Sequence, residues 1–213
     1  MKRIYLIVFI VSLTASGVKA QESYDLVKMR AWEHVEDSGD LNGDGIADLA
    51  IIAVPDDTAH LLVRDDGYVY NFNQPLLAIY FGDKNGGYTL WRGYNDVVPA
   101  RPDEVLSITP SLKITPRRTL IISLEYFATM GGWDAPTYSY TFRLQDGDFY
   151  LIGRDEEHRI RNTGEVERDS YNYLTHKKQH ITDSFNKRVK PRERWTSIPK
   201  EPLRPLGSFT LDE

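Results

Sequence analysis

Apolar and polar residues alternate with period two along most of the chain, and turn signals break the alternation at short intervals. "DLAIIAV", residues 48–54, is the exception, a continuous apolar run that reads as a strand buried on both sides. "LLAIYFGDKNGGYTLWRGY" predicts a β-hairpin with its turn at residues 82–87, where glycines supply the positive φ angles of a tight loop. "TYSYTFRLQDGDFYLIGRDEEH" predicts a second hairpin, with Tyr138, Tyr140 and Phe142 alternating, Asp146-Gly147 at the turn and Phe149 to Ile152 returning. "VLSITPSLKITPRRTLIISLEYFAT" offers two or three short strands, with Pro110 and Pro116 at edge or turn positions because proline cannot donate to a ladder. "SYNYLTHKKQHI" predicts another strand pair, and only "SYDLVKMRAWEH" places Leu26, Met29, Ala31 and Trp32 roughly on one side of a helix. The expected fold is mainly β: a single compact antiparallel domain, a propeller-blade-like meander or a sandwich, with a short N-terminal helix.

The N-terminus changes the picture of where such a domain works. Lys2 and Arg3 precede an apolar run from Ile4 to about Leu13, and small residues lead to Val18-Lys19-Ala20. This is the pattern of a secretory signal peptide, residues 1–20, cut near Ala20. Its apolar core is shorter than the roughly 20 residues of a membrane span, and no later stretch approaches that length. The mature chain, residues 21–213, is therefore expected to be periplasmic or secreted, without a membrane span. It has no cysteine, so neither a lipid-anchored cysteine nor a disulfide framework is available.

Loss of Lys2, Arg3 and Lys19 takes the formal charge from −5 to −8. Residues 21–175 hold 26 acidic and 14 basic residues, whereas 176–213 hold 5 and 9. An acidic body with a basic tail is not the footprint of a nucleic-acid binder. The tail, from about residue 187 to 213, contains Lys187, Arg188, Lys190, Arg192 and Arg194 and four prolines in "KPRERWTSIPKEPLRPLGSF", and reads as an extended segment over the surface. Its charge either meets an acidic partner or offsets the acidic body.

Chemistry concentrates in "SGDLNGDGIADLAIIAVP". Asp40, Asn42, Asp44 and Asp48 occupy positions 1, 3, 5 and 9 of a tightly wound loop, Gly45 permits the sharp turn at position 6, and Ile46 offers a carbonyl at position 7. Three carboxylates repel unless a cation neutralises them, and an all-oxygen set favours Ca2+. An EF-hand would place a bidentate Glu at position 12, where this chain has Ile51, and a helix where it has a strand. The pattern D-x-N-x-D-G-x-x-D resembles the calcium loops of FG-GAP and VCBS-type repeats, as in integrin-like β-propellers. That resemblance implies a structural ion between two strands, held by Asp40, Asn42, Asp44, Ile46 and Asp48. It covers only this loop and its strand. A propeller needs at least four blades, and no second copy of the loop occurs, since "RDDGYVYN" and "LQDGDFY" share only Asp-Gly turns. "YTFRLQDGDFYLIGRDEE" and "SYNYLT" also resemble uncharacterised exported bacterial proteins, which implies no function.

Enzyme signatures are sparse. There is no G-x-S-x-G elbow, no thiol, no Walker loop and no G-x-G-x-x-G after a strand. His176 and His180 stand four apart but in a strand-like run without an adjacent glutamate, which disfavours a metalloprotease. A glycosidase-type carboxylate pair is a matter of spatial separation, which sequence leaves open. "FATMGGWDAPTYSY" holds the candidate partner-binding residues Trp133, Asp134 and Tyr138, the tryptophan either anchoring a protein or sugar partner or folding back over the sheet. The expected function is an exported, calcium-stabilised binding protein, an inhibitor or immunity-type partner of a hydrolytic enzyme or toxin. The alternatives are a hydrolase of envelope polysaccharide or peptidoglycan and a structural envelope component.

Overall fold

The computed structural model describes residues 24–186 and 190–211. The signal-peptide reading of residues 1–20 lies outside them, as do Lys187 and Arg188 of the basic run. In chain order the elements are α1 (Leu26–Ala31), β1 (Glu33–Gly39), β2 (Asp48–Val54), a 3-10 turn (Thr58–His60), β3 (Leu61–Val63), β4 (Val69–Asn71), β5 (Leu76–Gly82), β6 (Tyr88–Tyr94), β7 (Leu106–Ile114), β8 (Thr119–Ala128), β9 (Thr137–Gln145), β10 (Asp148–Ile160), β11 (Glu165–Asn172), β12 (Lys177–Ser184) and β13 (Arg192–Ser197). All pairings are antiparallel. A four-stranded sheet in the order β1-β2-β5-β6 faces a seven-stranded meander whose strands lie in sequence order from β7 to β13, and β3 and β4 form a separate hairpin. The expected mainly-β, antiparallel domain with a short helix is the fold observed. No helix among the described residues is long and apolar enough to cross a membrane.

The two sheets share one core. Ala50, Ile52, Leu77 and Ile79 from the smaller sheet meet Leu120, Ile122, Leu124, Tyr140, Phe142 and Phe149 from the larger. The opposite face of the smaller sheet is also covered: Met29 of α1 and Tyr24 pack on Leu49, Ile51, Ala53, Ala78 and Tyr80. β2 is thus buried on both faces, which is why its sequence is continuously apolar. Asp25 caps α1, its carboxylate accepting the Lys28 N–H at 2.9 Å.

The turns follow the sequence closely. Asp146 (φ 49°) and Gly147 (φ 83°) both adopt positive φ, as the two central residues of a two-residue hairpin turn must. Pro110 lies inside β7, which is tolerated because β7 is the edge strand of the meander. The predicted two or three short strands around it are two long ones, with Pro116 in the turn between them.

The C-terminal segment departs most from expectation. Instead of lying wholly over the surface, residues 192–197 form β13 on the edge of the meander. Residues 198–211 then return across the sheet, the Leu151 N–H donating to the Arg204 carbonyl at 2.9 Å and the Leu206 N–H to the Phe149 carbonyl at 2.7 Å. Leu206, Phe209 and Leu211 enter the core, and the Tyr140 hydroxyl donates to the Leu211 carbonyl.

Candidate functional site

The aspartate loop joins β1 to β2, and its side chains do two different jobs. Asp40 Oδ1 accepts the Gly43 N–H at 2.6 Å, Asn42 Oδ1 accepts the Asp44 N–H at 2.9 Å, and Asp44 Oδ1 accepts the Ile46 N–H at 2.8 Å. These contacts wind the loop, with Gly43 and Gly45 at φ 88° and 83°. Asp48, by contrast, is sealed from solvent, at 0 % exposure. Its Oδ2 accepts the N–H groups of Leu41 (2.8 Å) and Asn42 (3.1 Å), and its Oδ1 accepts that of Gly82 at the end of β5 (3.1 Å). A Cβ at Gly82 would stand 2.2 Å from the Ala47 carbonyl, so the loop and β5 meet where only glycine fits.

Oxygens that accept one N–H retain acceptor capacity, so Asp40, Asn42, Asp44 and the Ile46 carbonyl suit a hard cation chemically. Asp48 has the least to spare. Among the described residues no three His, Cys, Asp or Glu side chains are grouped as a metal site. The positive charge at the loop comes from Arg118, whose Nε stands 3.5 Å from Asp40 Oδ2 and whose guanidinium lies over Gly43.

A second polar assembly covers the inner face of the meander where the smaller sheet no longer shields it. Cross-strand register aligns Tyr140, Arg154, Tyr171 and Lys178 in one row and Tyr138, Glu156, Asp169, His180 and Arg194 in the next. Arg154 lies over the Tyr138 and Tyr140 rings at 5.6 and 5.5 Å and approaches Glu156 Oε1 at 3.3 Å. Lys178 and His180 both reach Asp169, at 3.0 and 2.8 Å. Burial alone would raise the Asp169 carboxyl, but the hydrogen bonds from Lys178 and His180 outweigh it and hold it below the usual carboxylate range. Each carboxylate in these two rows therefore has a basic partner at ion-pair distance.

The connection from β8 to β9 carries the residues singled out in sequence. Trp133 is 62 % exposed, flanked by exposed Met130 and Phe127. The loop beneath it is braced by Arg161, whose main-chain N–H donates to the Trp133 carbonyl at 2.8 Å and whose Nη2 donates to the Gly132 carbonyl at 2.7 Å. The same guanidinium lies 4.7 Å over the Phe127 ring. Asp134 Oδ2 pairs with His158 Nδ1 at 2.7 Å, and Tyr138 packs edge-on to the His158 ring at 5.9 Å. Asp134 and Tyr138 are thus brought together through His158, while Trp133 remains exposed. Burial raises the Tyr138 hydroxyl above its ordinary pKa.

Arg154, Glu156, His158, Asp169 and Arg161 are not singled out by the sequence, and His180 enters there only in the disfavoured pair with His176. The period-two spacing of Arg154, Glu156 and His158, and of Asp169 and Tyr171, was the available signal, but only pairing of β10 with β11 makes one surface of them. His176 sits in the turn before β12, at φ 55°, away from the His180–Asp169 pair. Compared with family models, with curated proteins and with solved structures, the chain matches none, and its site is read from its own geometry.

Proposed function

We propose that this is an exported, calcium-stabilised binding protein that docks a protein partner through the β8–β9 connection, in the manner of an inhibitor or immunity-type partner of a hydrolytic enzyme. The observation that carries the reading is Trp133, a large aromatic exposed on a loop whose carbonyls are already held by Arg161. Interface energy concentrates in such aromatic anchors, and a loop fixed before binding loses less conformational freedom on docking. Phe185, 61 % exposed, follows β12, and its N–H is held by the Gly164 carbonyl of the turn that also contains Arg161. Phe127, Met130, Trp133 and Phe185 together give this end of the meander an apolar surface with a basic brace, the composition of an interface centre.

The test is affinity capture of envelope hydrolases by the mature protein, followed by assay of the captured enzyme's activity. Trp133→Ala is expected to weaken the complex by about 2 kcal/mol or more, roughly 30-fold in Kd, and to relieve inhibition. Equal capture and equal inhibition by the variant would remove the assignment.

Calcium belongs to the same proposal, with Asp40, Asn42, Asp44 and the Ile46 carbonyl as the ligands and Asp48 ordering the backbone behind them. A chelator is expected to lower the Tm by roughly 5–10 °C relative to calcium supplied at about a hundred times its Kd. Asp44→Ala should abolish the difference. Identical melting with and without chelator would leave the charge balance of the loop to Arg118 alone.

A further inference from the structure

The outer face of the meander, turned away from the shared core, carries a groove of about 750 Å³ between β9 and β13. Ligand sites run from about 300 to 1,000 Å³, so the groove has room for more than one small ring. It originates in the backbone. The pairing of β10 with β9 shifts register between Leu151 and Gly153, which makes Ile152 an extra residue, and such bulges re-aim the side chains beside them. Just past the bulge, Thr141, Gly153, Asn172 and Lys177 lie opposite one another on β9, β10, β11 and β12. Gly153 adds no side chain to that row, and the floor of the groove is low there.

The next row holds Asp155, Ser170, Gln179 and Trp195 on β10 to β13. Both rows alternate with Tyr140, Arg154, Tyr171 and Lys178 of the inner face, which puts their side chains on the outer one. Trp195, 57 % exposed, and Leu174, 46 % exposed, give the groove an apolar wall. The indole N–H of Trp195 donates to Glu193, and the Ser170 hydroxyl donates to Asp155. Asn172 Oδ1 accepts the N–H groups of Leu174 at 3.1 Å and Thr175 at 2.9 Å, which fixes its amide and leaves the NH2 group as a donor.

The charges cancel. Arg143 and Lys177 are matched by Asp155 in the lining and by Glu193 beside Trp195. Farther out, Glu157 and Asp183 are matched by Arg159 and Arg168. A groove of this balance selects neither an anion nor a cation. It sets acceptors beside donors: the Asp155 carboxylate, the Thr141 hydroxyl, the Asn172 amide and the Lys177 ammonium. Neighbouring hydroxyls on one ring, each donating one hydrogen bond and accepting another, match such a set. Trp195 and Asp155 are three strand spacings apart, roughly 14 Å, which exceeds the length of one pyranose.

We propose that this groove binds a neutral glycan of extended, β-linked pyranose rings, its chain running across the strands. The flat ribbon of such a chain follows a sheet face, whereas an α-linked chain coils away from it. Trp195 would take the apolar face of one ring, and Asp155, Asn172 and Lys177 would take hydroxyls of the next. The groove is separate from the Trp133 loop, and neither reading depends on the other.

The experiment is calorimetric titration of the mature protein with cellotetraose, chitotetraose, maltotetraose and glucose, with tryptophan fluorescence recorded in parallel. One of the two extended tetrasaccharides should bind more tightly than maltotetraose and glucose by roughly 10-fold or more. The identity of that one tells whether the groove takes plain or N-acetylated rings. Trp195→Ala should weaken binding by about 10-fold or more and remove the fluorescence change, with an unchanged Tm. Asp155→Asn, which keeps an oxygen for Ser170, should weaken binding by roughly 5-fold, and it carries the test if the tryptophan variant does not fold. Absence of binding by both extended tetrasaccharides, maltotetraose binding of equal strength, or a folded Trp195→Ala variant with unaltered affinity would each overturn the proposal.

Discussion

Asp48→Ala is expected to destabilise the protein by about 3–5 kcal/mol, as measured by chemical denaturation, because it leaves one buried and two part-buried N–H groups without their acceptor. Those of Leu41, Asn42 and Gly82 all converge on this one carboxylate, which has no exposure to solvent. Hydrogen bonds to a charged acceptor contribute about 1.5–3 kcal/mol each, and partial relaxation of the loop would recover some of the loss. A domain with a total stability of about 5–15 kcal/mol would be left marginal. Asp44→Ala, which removes an exposed carboxylate serving one backbone N–H and the Asn42 side-chain amide, is expected to cost far less in the presence of chelator. The contrast distinguishes an aspartate that orders the backbone from one that faces a cation. If Asp48→Ala and Asp44→Ala lose the same small stability, the buried carboxylate does not hold the loop to β5.

Truncation after Arg204 is expected to abolish the cooperative unfolding transition. It removes Leu206, Phe209 and Leu211, all buried, and uncovers Tyr140 and Phe142. Each large apolar side chain stabilises by about 1.5–3 kcal/mol on burial, so the three together approach the whole stability of a domain. The Leu206 N–H bond to the Phe149 carbonyl and the Leu211 N–H bond to the Val97 carbonyl go with them. Thermal scans by circular dichroism should show a broad, non-cooperative signal, and limited proteolysis should cut the meander readily. A sharp transition retained by the truncated chain would mean that the segment only covers a core complete without it.

The elements themselves were legible because they obey local rules. Tyr138, Tyr140 and Phe142 alternate as a half-buried strand must, Asp146-Gly147 takes the two positive φ angles of its turn, and the apolar run of β2 reflects its two covered faces. The calcium-loop pattern likewise predicted the sharp turn at Gly45, although it did not single out Gly43 or distinguish Asp48 from the other donors. What separates them is the arrival of the Gly82 N–H from another hairpin, a contact 34 residues distant in sequence. The polar rows on the meander were illegible for the same reason. Arg154 and Glu156 look like any solvated strand residues until β11 brings Tyr171 and Asp169 beside them. In the C-terminal segment the four prolines read as an extended stretch over the surface, with nothing to mark the strand at residues 192–197. Leu206, Phe209 and Leu211 have no period to announce burial, since they follow a path over the sheet and not a regular element.

The late position of those three residues has a consequence for biogenesis. A meander whose strands pair in sequence order can be assembled progressively as the chain emerges, each new strand finding its neighbour already in place. The shared core cannot be sealed until residue 211 is available, so Tyr140 and Phe142 remain uncovered while everything between them and the closing segment is made. During that interval the nascent sheet has a sticky face and an open edge at β12, the conditions under which unfinished chains associate with one another. The order of synthesis thus sets a window of vulnerability, and it closes only when β13 and the segment behind it arrive.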